Sequence, residues 1–121
     1  MPEKKRLAYG ENRLMQLIWD RGPLRSGELA ELCLNTLGWK KSTTYTMLKR
    51  LEEKGFAKNE NAVVRAEVSR REARAEESAY VVEQSFAGSL PSFLVSFLDG
   101  KTISKDEAEE LKRLIDAHQE D

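Results

Sequence analysis

Apolar residues recur at helical spacing through the first half of the chain, alternate briefly in its middle, and return to helical spacing to the end. The first periodic stretch predicts a helix from Gly10 to Trp19, with Leu14, Met15, Leu17, Ile18 and Trp19 on a broad apolar side. "DRGP" stops it, because Gly22 and Pro23 together break a helix. A second helix is expected from Ser26, with Ser26 as N-cap, Leu29, Leu32, Cys33 and Leu37 inward, and "LGW" as its close. The third lies in "LGWKKSTTYTMLKRLEEKGF" and is expected over Lys41–Lys54. Stepping about 100° per residue from Leu48 places Thr44, Met47, Leu51 and Gly55 on the inner side. Ser42, Thr43, Thr46, Lys49, Arg50 and Glu53 fall on the outer side, with Tyr45 on the flank. The short link "NTLGWK", glycine included, makes the last two helices a candidate helix-turn-helix.

After Gly55 the period changes. "FAKN" and "AVVRAEV" favour strands around a polar "ENA" tip, which predicts a two-stranded hairpin, or wing, with Asn61 suited to a left-handed conformation. Helical composition resumes at Ser69 in "SRREARAEESAYVVEQSFAG" and closes at Gly88. Ser89 is the expected N-cap of a short helix whose apolar residues Leu90, Phe93, Leu94, Phe97 and Leu98 follow i, i+3, i+4, i+7, i+8 spacing. Ser104 and Glu107 form a capping-box pattern ahead of a last helix that carries Leu111, Leu114 and Ile115 and runs to His118.

The expected fold is therefore mainly α: a winged helix-turn-helix with a small two-stranded wing over residues 1–68, then three helices over residues 69–121. Short amphipathic helices after a long one cannot enclose a core of their own, and exposed apolar stripes of this kind find a partner. A second copy of the chain is the economical occupant, which assigns dimerisation to Tyr80, Phe86, Leu90, Phe93, Leu94, Phe97, Leu98, Leu111, Leu114 and Ile115. The competing arrangement packs the Leu90–Leu98 stripe within one chain, against the last helix.

Composition narrows the function classes. With 121 residues, 40% hydrophobic and 34% charged, and only three prolines and seven glycines, the chain fits a folded domain rather than a disordered one. No apolar run approaches the roughly 20 residues of a membrane-spanning helix, and the start "MPEKKRLAYGENRLM" lacks the apolar core of a secretory signal. A cytoplasmic protein without membrane insertion is expected. Cys33 is the sole cysteine, so no intramolecular disulfide or thiolate cluster can form within the chain, and the sole histidine, His118, stands in an acidic tail that does not suit a Ser/His/Asp set. Neither a glycine-rich phosphate loop nor metal-ligand spacing is present. The expectation is no enzyme, no catalytic residue, no metal and no cofactor.

The net charge of −1 hides an asymmetry. Residues 1–65 carry thirteen lysines and arginines against eight acidic residues, a net of +5; residues 66–121 carry seven against thirteen, a net of −6. A basic front suits an anionic partner while an acidic back stays clear of it. The outer face of the third helix fits either a solvated surface or a DNA groove, and periodicity leaves both open.

In the order and spacing of "LMQLIWDRGPLRSGELAELC", "WKKSTTYTMLKRLEEKGFA", "AEVSRREARAEESAYVVEQSFAGSLPSFLVSFL" and "ISKDEAEELKRLI", the chain resembles the penicillinase-repressor (BlaI/MecI/CopY) family of bacterial winged-helix repressors. That resemblance implies a homodimer that puts two recognition helices into successive major grooves of a pseudo-palindromic operator with TACA/TGTA-type half-sites. It also implies release by proteolysis, triggered by a membrane sensor with a metalloprotease domain. The family's Asn-Phe scissile bond aligns with Ser96-Phe97, where serine is a departure. The copper-responsive branch carries a CxC pair that this chain lacks. Where the family has Ser-Pro after the tryptophan, Lys40-Lys41 stand here, and "NENAVVRAEV" lacks the family's Gly-Arg wing tip and Tyr-rich strand.

Taken as a recognition helix, the third helix divides its residues by chemistry. Lys40, Lys41, Lys49 and Arg50 suit phosphate contacts; Ser42, Thr43, Tyr45 and Thr46 suit base edges. Lys54 and Lys58 are secondary phosphate candidates. The alternative reading is a protein-interaction adaptor or anti-repressor that has lost DNA binding.

Overall fold

A computed structural model of the chain describes residues 6–121; the charged start, Met1–Lys5, on which the expectation about a leader partly rests, lies outside them. Its elements are α1 (Tyr9–Arg21), β1 (Leu24–Arg25), α2 (Ser26–Leu37), α3 (Lys41–Lys54), β2 (Ala57–Glu60), β3 (Val63–Ala66), α4 (Arg70–Phe86), α5 (Leu90–Leu98) and α6 (Lys105–Ala117). The mainly-α winged-helix expectation holds. Contacts divide the chain into two compact units, one ending at Ser78 and the other running Ala79–Asp121, with α4 passing from one into the other.

The first unit has a continuous core. Leu14, Met15 and Ile18 of α1 meet Leu29 and Cys33 of α2 and Leu48 and Leu51 of α3, closed by Ala57 of β2 and Val64 of β3. Each large apolar side chain so enclosed contributes about 1.5–3 kcal/mol relative to exposure. Helices α1 and α3 come close at Gly10, where a Cβ would stand 2.9 Å from Met47 Cε and 3.7 Å from the Trp39 ring. The helix-turn-helix link is closed by Gly38 in the left-handed region (φ 70°), with the Gly38 and Trp39 N–H groups donating to the Leu34 and Cys33 carbonyls. This is the usual way a helix disposes of its last acceptors.

Strands β2 and β3 pair antiparallel, Ala57 opposite Ala66 and Glu60 opposite Val63. Asn61 and Ala62 make a two-residue turn with positive φ at both positions (54° and 62°), the turn whose twist matches a hairpin. Asn61 is thus left-handed as its side chain suggests, whereas Glu60 belongs to the strand. The wing is not two-stranded: Leu24 and Arg25 add a third strand against Val64 and Val63, giving the order β1-β3-β2. Two residues carry no alternation, so period alone gives no sign of this strand.

Ser26 is likewise not the N-cap of α2. Arg25 occupies that position without a side-chain cap, and Ser26 lies one residue inside, buried. Ser89 and Ser104 do cap, accepting from the Ser92 and Glu107 N–H groups at 3.1 and 3.0 Å.

In the second unit no residue of α5 or α6 is buried. Phe86 meets Phe93 edge-on at 5.4 Å, and Phe93 stacks on Phe97 at 5.8 Å. Leu90, Val95, Phe97, Leu111, Leu114 and Ile115 stay exposed, Phe97 by 54% and Leu114 by 51%. No single helix among the described residues is long and apolar enough to cross a membrane; α4 and α5 pass on length and composition only when joined, and they meet at an 85° bend.

Candidate nucleic-acid interface

Helix α3 owes its bounds to local chemistry. Gly55 closes it in the left-handed region (φ 82°), and Thr44, Leu48 and Leu51 bury its inner stripe, with Met47 half-buried beside them. The outer side is left to Lys41, Ser42, Thr43, Thr46, Lys49, Arg50 and, in the last turn, Glu53, all exposed, with exposed Lys40 at the N-cap. The polar and apolar assignments made from spacing are thus the observed ones except at Gly55, which was placed inward and is exposed at the C-cap. Between Lys40 and Arg50 there are four cations and no carboxylate.

The N-terminal end of α3 is electrostatically unusual. It has no side-chain cap and no acidic residue in its first turn, while Lys40 and Lys41 sit at the positive pole of the helix dipole. Such placement costs a few tenths of a kcal/mol per cation in the free helix. An anion at that end removes the cost and finds uncapped N–H groups, as helix N-termini offer phosphates.

Tyr45 differs from its neighbours. It is half-buried, its hydroxyl shares a hydrogen bond with Ser26 Oγ at 3.3 Å, and the Lys41 ammonium lies 6.0 Å from its ring centre. Arg50 rests against Met47, its guanidinium 3.8 Å from the Sδ atom.

A buried ion pair anchors the other end of the helix, and the sequence reading misses it. Glu11 of α1 is 2% exposed; its Oε1 accepts from Lys54 Nζ at 2.5 Å and from the Ala8 N–H at 2.7 Å. Lys54 also donates to the Arg6 carbonyl at 2.7 Å. Burial raises the Glu11 pKa, but the Lys54 hydrogen bond, the Ala8 N–H and the charges of Lys54 and Arg50 outweigh it, leaving the carboxyl below its ordinary range. Lys54 is therefore engaged in holding α1 to α3 and is not displayed for phosphate. The only sequence signal was Glu11 at the third position of a helix, a place where glutamate reaches back to the preceding N–H.

The wing has balanced its own charges. Lys58 pairs with Glu60 at 2.9 Å, and Arg65 stands 3.8 Å from Glu60 and 3.7 Å from Glu67. These neighbours lower the Glu60 pKa, Lys58 first among them. Lys58 is exposed but already paired. Behind the interface, Trp19 Nε1 donates to the Val68 carbonyl at 2.9 Å, and Arg70 stacks over the Trp19 ring at 5.4 Å while bonding Asp20 at 2.6 Å. Arg6 pairs with Glu77 on α4.

Cys33 is wholly buried, and burial raises its thiol pKa against a smaller opposite pull from the Thr44 hydroxyl. It packs as a small apolar group. His118 is exposed at the C-cap of α6, its Nδ1 2.8 Å from the Leu114 carbonyl. Ser96 and Phe97 lie in the last turn of α5, both exposed, with the Ser96 carbonyl accepting from the Asp99 N–H.

Comparison with known proteins places the chain among relatives of similar length. The family described as penicillinase repressor matches residues 7–117. The chain is 27% identical to the penicillinase repressor of Bacillus licheniformis, over 98% of its own length and 95% of the relative's. It is 23% identical to the methicillin resistance regulatory protein MecI of Staphylococcus aureus strain N315, over 90% and 92% of the two lengths. An uncharacterised 16.5 kDa protein of Latilactobacillus sakei is 28% identical over 92% of this chain and 79% of that one. From a match spanning both units, the chain belongs to the penicillinase-repressor family of transcriptional repressors.

Proposed function

We propose that the chain represses transcription as a homodimer that occupies a pseudo-palindromic DNA operator with the outer face of α3. The observation that carries this reading is the exposed outer face of α3, where four cations and three hydroxyl residues between Lys40 and Arg50 stand without a carboxylate and Lys40 and Lys41 sit at the uncapped positive end. Lys40, Lys41, Lys49 and Arg50 neutralise phosphates and supply most of the affinity. Ser42, Thr43, Tyr45 and Thr46 face base edges, where hydroxyls bond either donor or acceptor and threonine methyls touch thymine methyls. The wing contributes little, because its cations are matched by Glu60 and Glu67.

Dimerisation uses the apolar side chains of the second unit, led by Leu90, Phe93, Phe97, Leu111, Leu114 and Ile115, with Tyr80, Phe86, Leu94 and Leu98 around them. The exposure of Tyr80, Leu90, Phe97, Leu111, Leu114 and Ile115 in a single chain is what a two-fold partner would relieve. Two modest half-site affinities then combine, since binding of the second head becomes intramolecular. Occupancy of the promoter excludes polymerase, and no chemistry is needed.

Release follows from loss of the dimer. Cleavage at Ser96-Phe97 by a sensor-linked protease is the route that the family resemblance suggests. The bond sits inside a nine-residue helix. Helices this short are marginal alone, so the last turn of α5 can open to present an extended backbone.

The test is a mobility-shift titration against duplex DNA over a range of salt. The intact chain should lose affinity steeply, by about 0.9 log units per log unit of salt for each phosphate neutralised. A chain ending before Ser89 should bind a full operator at least tenfold more weakly, as loss of the tethered second contact requires. Absence of duplex binding at low salt would favour the adaptor reading, and equal affinity of the truncated chain would discard avidity.

A further inference from the structure

The outer face of the small sheet carries one cation that no carboxylate holds. Strand alternation and register put Lys58 and Glu60 of β2, Val63 and Arg65 of β3 and Arg25 of β1 on that face, while Leu24, Ala57 and Val64 turn inward. Lys58 and Arg65 are taken up by Glu60 and Glu67. Arg25 stands beyond Val63, two strand spacings or about 10 Å from Glu60. It is exposed, and among the described residues its side chain has neither an ion pair nor a hydrogen bond. Glu28 and Glu31 line a shallow groove together with Arg21 and Arg25, yet pair with neither.

The next residue fixes where Arg25 stands. The Ser26 N–H donates to the Ala62 carbonyl in the hairpin turn at 2.9 Å, and Ser26 Oγ lies 3.3 Å from the Tyr45 hydroxyl on the flank of α3. Arg25 therefore borders both the wing tip and the reading helix. A helix with its side chains is about 10–12 Å across and the major groove about 12 Å wide, so a helix laid in the groove fills it from wall to wall. Whatever abuts the flank of that helix meets the sugar–phosphate wall rather than base edges. Arginine suits such a wall, because its planar fork of donors matches phosphate.

We propose that Arg25 grips a backbone phosphate at the wall of the groove that α3 enters, standing in for the wing's own neutralised cations. The inference rests on α3 being the DNA-reading helix, and its test separates the two. The native full-length chain first enriches a duplex from a randomised pool. Mobility-shift titrations of that duplex over a range of salt then compare the native chain with Arg25→Gln, Arg25→Lys and Lys58→Gln, with melting temperature measured beside them.

Arg25→Gln should lower the salt slope by about 1.8 log units per log unit of salt, about 0.9 for each head of a dimer. Between about 50 and 200 mM salt the native advantage over this variant should then shrink about tenfold. Arg25→Lys keeps the charge and should keep the slope, and Lys58→Gln should leave it in place because Glu60 already holds that lysine. The enriched sequence should be the same for the native chain and Arg25→Gln, since a phosphate contact carries no base information. An unchanged slope in Arg25→Gln, or a changed base preference, overturns the phosphate contact while leaving α3 as the reader. A slope that Lys58→Gln lowers as much as Arg25→Gln does overturns the claim that Arg25 stands in for the wing. A native chain that enriches no duplex overturns both readings.

Discussion

Glu11 accepts from Lys54 and from the Ala8 N–H inside the fold, so its negative charge is built into the junction of α1 and α3. Replacing it by glutamine keeps the shape but leaves Lys54 without its counter-charge; about 1.5–3 kcal/mol should be lost, the range for hydrogen bonds to charged groups. Chemical denaturation at neutral pH measures this. The same residue sets a pH dependence. Because the folded carboxyl titrates below its ordinary value of about 4.5, protons bind the unfolded chain first. The stabilisation is complete above that ordinary value and disappears as pH falls through the depressed one. The Glu11→Gln protein should therefore lose less stability than the native protein between pH 5 and pH 3, as seen in parallel melts about this range. A steeper acid loss in the variant would contradict the assigned role of the ion pair. None of this was visible in the pattern of apolar positions, since a glutamate beside a lysine forty-three residues away has no local signature.

Among elements, α3 was the most legible and the wing the least. Leucine spacing and Gly55 define the helix at both its inner face and its end, and observed exposure follows the expected division from Ser42 to Glu53, Gly55 alone being exposed where it was placed inward. The wing depends on a third strand of two residues and on a turn whose second position is alanine with φ 62°. A left-handed conformation costs a residue with a Cβ about 1–2 kcal/mol, against about 0.5–1 kcal/mol of extra chain entropy for glycine. Ala62→Gly should thus stabilise by about 0.5 kcal/mol and raise the melting temperature by a few degrees in calorimetry. Its carbonyl would still accept from Ser26, so DNA affinity should not change with it. A fall in melting temperature would mean that the turn is held by something other than its backbone preference.

At the scale of the whole molecule, the first unit buries a core and the second does not. The apolar stripes of α5 and α6 were readable as stripes, and their exposure within one chain argues for a covering partner. Leu114→Asp places a charge in the middle of that surface. In a two-fold interface the change occurs twice, and about 1.5–3 kcal/mol per leucine makes dimerisation weaker by on the order of a hundredfold or more. Sedimentation equilibrium checks the constant, with circular dichroism showing that helix content is kept. An unchanged association constant would assign the stripe to some other purpose.

The residue pattern alone determined the order of the helices, the side of α3 that faces inward, and the capping serines Ser89 and Ser104, because these follow from interactions within about four residues along the chain. Only the tertiary structure decided that Ser26 serves Tyr45 and the hairpin instead of capping α2. It likewise decided that Lys54 belongs to Glu11 rather than to a ligand, and that the wing's cations are balanced by its own carboxylates. The first two outcomes depend on which distant groups burial brings within hydrogen-bond reach, since a buried polar atom takes whatever partner the packing supplies. The third depends on the strand register that sets Lys58 opposite Arg65 with Glu60 beside both.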